Sequence, residues 1–176
     1  VSFTALRNYG RLLKTFATRR SVKINIIAVG TRMPTWVNDG VQTYAQRMPA
    51  DYQLTLTEIP AIKRDKHTNI NAALLKEGDA LLSKCQNNQI TIALDRLGKD
   101  ISTKQLATQL HSWHDLSQDI NILIGGPEGI HADHLAKVPY KWSLSKLTLP
   151  HPLVRVIVAE QAYRAYSIIV GHPYHR

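Results

Sequence analysis

The sequence predicts an α/β fold, a mostly parallel sheet with helices on both faces. Short apolar runs of strand character alternate with stretches whose apolar residues recur at helical spacing. Several of the runs are apolar throughout, as strands covered on both sides are. The 176 residues show no internal repeat and, after Lys23, no Pro/Gly/Ser linker, so one domain is the simplest organisation.

The elements follow in order. Residues 1–21 are Arg-rich, hydroxyl-rich and acid-free, which fits a transit peptide or a spurious upstream extension of the reading frame. They are expected to lie outside a single domain spanning 22–176. Lys23–Val29 reads as a strand ended by Gly30, and Pro34 then opens a helix with Trp36, Val37, Val41, Tyr44 and Met48 on its stripe. Gln53–Ile59 is a second strand, and Pro60 begins the basic loop AIKRDKH. Asn69 caps a helix with Ile70, Leu74, Leu81 and Cys85 on one face. Ile90–Leu94 is a third strand, followed after Asp95 by the turn RLGK. Ser102 and Gln105 have capping-box spacing ahead of Leu106, Leu110 and Trp113. Ile120–Ile124 is a fourth apolar strand. Val154, Ile157, Val158, Ala162 and Ala165 form a last helical stripe, and Ile168–Val170 reads as a short apolar strand before Gly171 and the tail.

Composition narrows the function. Cys85 is the single cysteine, so neither a disulfide framework nor a cysteine-rich zinc site is available, and a cytosolic compartment fits. No apolar run approaches the roughly 20 residues of a membrane span. The net charge of +9 points to an acidic partner, nucleic acid first. Five of the 22 Lys and Arg residues lie in 1–21, however, leaving 17 against 13 acids in the body. Motifs must therefore carry the functional argument.

Ligands of open parallel sheets bind beyond the carboxyl ends of the strands. Three such ends stand out: Leu94-Asp95, the GGPEG segment Gly125–Gly129, and Leu144–Leu147 running into Thr148–Pro152. Gly125-Gly126 is either a tight strand-to-helix connection or a place where a ligand nears backbone amides. It is neither a phosphate loop nor a dinucleotide fingerprint, lacking both Gly-Lys-Ser/Thr and G-x-G-x-x-G. The two prolines around His151 make a stiff segment, either a helix start or a rigid loop able to hold an adenine edge. The tail His172-Pro-Tyr-His-Arg176 offers aromatic and planar cationic groups suited to bases and phosphates, unless it is a solvated terminus. His111/His114 and His131/His134 are spaced i, i+3 without a third ligand, so no metal is expected.

The segments INIIAVGTRMPTWV, INILIGGPEG, WSLSKLTLPHPLVRVIVAEQAYRAYSI and HPYHR, in order and at matching spacing over residues 22–176, resemble the RlmH-type ribosomal large-subunit pseudouridine methyltransferases of the SPOUT class. The resemblance implies a homodimer with a deep C-terminal trefoil knot. It implies transfer of a methyl group from S-adenosyl-L-methionine to N3 of a pseudouridine in a large-subunit rRNA stem-loop of the assembled ribosome. The cofactor positions then fall on Leu94, Gly126, Ser145, Lys146, Leu147, Thr148, Leu149 and Pro150, and the RNA-facing catalytic group on Tyr174, His175 and Arg176. RLGK stands where that family more usually carries a proline-containing turn. His175 and Tyr174 are candidates to accept the N3 proton, with Glu160 a further candidate that could instead pair with Arg164 at i+4. The alternative function is a non-catalytic RNA-binding or ribosome-associated protein using Lys63-Arg64-Asp65-Lys66 and the tail.

Overall fold

The computed structural model describes residues 21–176, so the leader lies outside the described residues but for Ser21. Five strands form one all-parallel sheet: β1 (Val22–Val29), β2 (Tyr52–Ile59), β3 (Ile90–Asp100), β4 (Ile120–Ile124) and β5 (Tyr140–Ser143), in spatial order β2-β1-β4-β3-β5. The connecting helices are α1 (Thr35–Ala45), α2 (Ile70–Leu82), α3 (Thr103–Asp115), α4 (Ala132–Lys137) and α5 (His151–Ile169). The apolar strands are covered on both sides, as their composition requires. In β1, Ile24, Ile26 and Ala28 join the core under α1, α3 and α5, while Ile27 and Val29 join a second core under α2 and α4. The expected α/β class with helices on both faces holds.

Local chemistry sets several boundaries. Ser102 and Gln105 form the expected capping box at α3, and the Asn69 side chain accepts the Ala72 N–H at α2. Four expectations change. The buried face of α2 is Ala73, Glu77, Gly78 and Leu81, because a carboxylate occupies a core position; Ile70 is largely exposed, and Cys85 lies beyond the helix end. β3 resumes after Leu94: Trp142 of β5 pairs with both Leu94 and Lys99, so Asp95–Gly98 is extruded from the ladder as a bulge. Met48 falls beyond α1, and Pro34 caps that helix from outside it. Ile168 and Ile169 complete the last turn of α5 instead of forming a strand, and Val170 is its C-cap. α5 is buried on several sides, so its apolar residues do not reveal a single helical stripe.

Candidate active site

β3, β4 and β5 deliver their carboxyl-end loops to one place, where residues 94–96, 124–129 and 142–151 with Val154 line a cavity of about 780 Å³. The glycine turn owes its shape to close backbone approach. A Cβ on Gly125 would collide with the Gly129 carbonyl group, Gly129 has φ +85°, and its N–H donates to the Gly126 carbonyl at 3.0 Å. The 144–150 loop is held by its own polar groups: Ser143 Oγ donates to the Ser145 carbonyl at 3.0 Å, and the Leu147 N–H donates to Ser145 Oγ at 2.9 Å. Pro150 then caps α5, with Pro152 in its first turn. The result is a preshaped, largely apolar recess with a few polar groups, the usual character of a small-molecule site.

Two basic side chains underlie it. Arg155 is fully buried, donating to the carbonyls of Val29 and Gly30 at 2.8 Å each and to Glu58 Oε1 at 2.6 Å. Burial pushes its pKa down, and the Glu58 hydrogen bond opposes that. His151 lies on the cavity wall, where burial and then the Arg155 charge lower its pKa from 6.5 and favour the neutral imidazole.

The tail is folded, not frayed. Pro173–His175 forms a short 3₁₀ turn against α5. The Tyr174 ring meets Tyr163 edge-on at 4.8 Å, its hydroxyl donates to Glu160 Oε1 at 3.1 Å, and the Arg164 guanidinium lies 4.8 Å from its ring centre. Burial, followed by hydrogen bonds to Tyr44 and Glu160, raises the Tyr174 phenol above its ordinary pKa, so it stays protonated as a donor. Glu160 also accepts from Arg164 Nε at 2.7 Å, the i, i+4 pair the sequence suggested. His175 lines an open groove with Arg164, Lys104 and His111, and its sheltered Nδ1 has no hydrogen-bond partner.

The cavity thus brings together Leu94, Gly126, Ser145, Leu147, Thr148, Leu149 and Pro150. Lys146 turns outward to Asp100 at 2.7 Å and is not on the wall. Glu160, Tyr174, His175 and Arg176 do not line the cavity either. Glu160 is nine residues along α5 from His151, about 14 Å at 1.5 Å per residue; Tyr174 packs back on Tyr163 and Glu160 at mid-helix, and His175 shares its groove with Arg164, Ile168 and Ile169. Sequence reasoning missed Glu77, whose carboxylate backs the glycine turn from α2, because an acidic residue inside an apolar stripe carries no periodic signal. Among the described residues no cluster of metal-ligating side chains occurs, and no helix is long and apolar enough to cross a membrane.

A parallel α/β sheet with an apolar recess built from the turns after three neighbouring strands defines a class of enzymes that seat a small cofactor at the strand ends. Residues 22–175 match the family described as "Predicted SPOUT methyltransferase", and the chain belongs to that family of methyltransferase enzymes. Among its relatives, proteins named "Ribosomal RNA large subunit methyltransferase H" from Saccharophagus degradans and Coxiella burnetii are 52% and 49% identical over 155 residues, which is 88% of this chain and all of each relative. One from Pseudomonas putida is 45% identical over the same span. A solved structure of a probable methylase family protein from Haemophilus influenzae Rd KW20 shares the fold at TM-score 0.52 and 15% identity, covering 90% of this chain and 72% of that one.

Proposed function

We propose that this chain methylates N3 of a pseudouridine in large-subunit rRNA, using S-adenosyl-L-methionine, and that it works as a homodimer on the ribosome. The rRNA substrate rests on the names of relatives that match along their whole length. The donor rests on the site: the recess offers Leu94, Leu147, Leu149 and Pro150 to an adenine ring and a glycine turn that admits close backbone approach. Gly126, Ser145 and Thr148 supply polar groups beside them. The passage of residues 144–150 beside the turns at 94–96 and 125–129 suits the C-terminal trefoil threading of the class.

When bound, the donor supplies an electrophilic methyl group, and the chain's own residues hold the two reactants and manage one proton. As the N3–CH₃ bond forms, the N3 proton must leave. We assign that proton to His175, since the Tyr174 phenol is committed as a donor to Glu160. Arg176 and Arg164 can offset negative charge on the base or hold a phosphate. The observation that carries the reading is the separation of recess and tail along α5. A second copy, placing its tail over the first copy's recess, completes a site that one chain leaves divided.

Nucleoside mass spectrometry of rRNA tests the assignment. Cells lacking this protein should lose one N3-methylpseudouridine from large-subunit rRNA and regain it on complementation. An unchanged methylation pattern overturns it.

A further inference from the structure

The connection between β2 and α2 does more than cross the surface. Arg64 forks onto Glu77 through both terminal nitrogens and also reaches Glu128 Oε2 with Nη2 at 2.9 Å. Glu77 is only 2% exposed, and its Oε1 also accepts the Ile62 N–H at 2.8 Å. The same carboxylate lies 3.5 Å from where a Gly126 Cβ would sit, directly behind the turn that lines the recess. Seven residues further on, Asn71 Oδ1 meets His131 Nε2 at 2.9 Å, and His131 Nδ1 in turn accepts the Asp133 N–H that starts α4. The β4–α4 connection is therefore gripped at Glu128 and again at His131 by one stretch of chain.

A buried carboxylate is tolerated only when its charge and lone pairs are answered, and here the answer comes from a loop remote in sequence. Stability alone does not require the extra reach to Glu128, which is on the recess wall and a third exposed. We infer that Arg64 and Glu77 are positioning residues of the methyl-donor site: through Glu128 they hold the Gly125–Gly129 turn in its donor-binding shape. The inference rests on the reading of the recess as the donor site. Lys63, Lys66 and His67 ride on the same loop, so the turn is mechanically joined to a cationic surface.

The test uses variants that preserve the charge answer to Glu77. Arg64→Lys keeps a cation beside Glu77 but loses the fork to Glu128, and Glu128→Gln removes the charge at the other end. Each should raise the calorimetric dissociation constant for S-adenosylmethionine roughly tenfold, as a displaced binding loop does. At saturating donor the kcat of Arg64→Lys, whose side chain is not on the recess wall, should stay within about twofold of parental, and the dissociation constant of the double variant should be no worse than that of the worse single, because both act on one link. Donor affinity within twofold of parental in both single variants overturns the inference, as does a parallel collapse of kcat. Failure of the parental protein to bind S-adenosylmethionine sinks the donor-site reading itself, and the inference with it.

Discussion

Arg155 sits fully buried in α5 with three oxygen acceptors, two of them the carbonyls that end β1. The side chain is a pin between helix and sheet, closed off from solvent. Arg155→Ala strands two buried carbonyls and uncouples Glu58, and should lower unfolding free energy by about 3 kcal/mol in urea titration. A second residue-scale expectation concerns the glycine pair. The resemblance singles out Gly126, yet a Cβ there meets Val29 and Glu77 at ordinary contact distances, whereas one on Gly125 runs into the Gly129 backbone. Gly125→Ala should therefore weaken donor binding by more than about tenfold, 1.4 kcal/mol by the affinity relation, while Gly126→Ala stays close to parental. Equal effects in calorimetry would place the close approach elsewhere.

At the scale of elements, His151 opens α5 on the recess wall with its pKa lowered, first by burial and then by Arg155. A histidine whose folded pKa lies below its unfolded 6.5 leaves the unfolded chain binding more protons between the two values. Its contribution to stability is thus complete above pH 6.5 and declines as the pH falls toward the folded value. Protonation would also set a cation beside the proposed sulfonium donor. Affinity for the proposed donor should fall only as the pH drops toward the lowered folded value, and His151→Asn should flatten that fall; an identical pH profile in the variant would exclude the imidazole. Four strands and three helix starts were legible because each had a local cause: β-branched runs, the Asn69 cap, the Ser102–Gln105 box. β5 was too short, at four residues, to stand out, and α4 at six carried no full stripe. The recess was legible as three strand ends because that rule depends on topology alone. The Arg64–Glu77–Glu128 link was not, since its members lie 13 and 51 residues apart and no pattern joins them.

At the scale of the whole molecule, the recess and the tail proposed to carry the proton transfer stand apart. The recess opens at the start of α5, and the cluster of Glu160, Arg164, Tyr174 and His175 gathers along its last three turns. α5 is continuous over 19 residues, about 28 Å, and the tail doubles back on it through Tyr163 and Glu160, so one chain cannot swing its tail to its own recess without giving up those contacts. A two-fold dimer can join unlike surfaces of two copies twice over. The consequence is complementation between defects. A Gly125→Ala protomer keeps an intact tail, and a protomer lacking residues 174–176 keeps an intact recess. Co-expressed and purified through two different tags, the mixed dimer should contain one site built from both intact halves and one built from both damaged halves. Single-turnover methylation of ribosomes, at a donor concentration near the parental dissociation constant, should then recover to about half of parental, against several-fold lower rates for the Gly125→Ala homodimer and near-zero rates for the truncated one. Truncation should also lower the melting temperature, because the Tyr174 ring and its bond to Glu160 are lost. A mixed dimer as inactive as its parents would mean that recess and tail act within one chain, and would require α5 and the tail to part during catalysis.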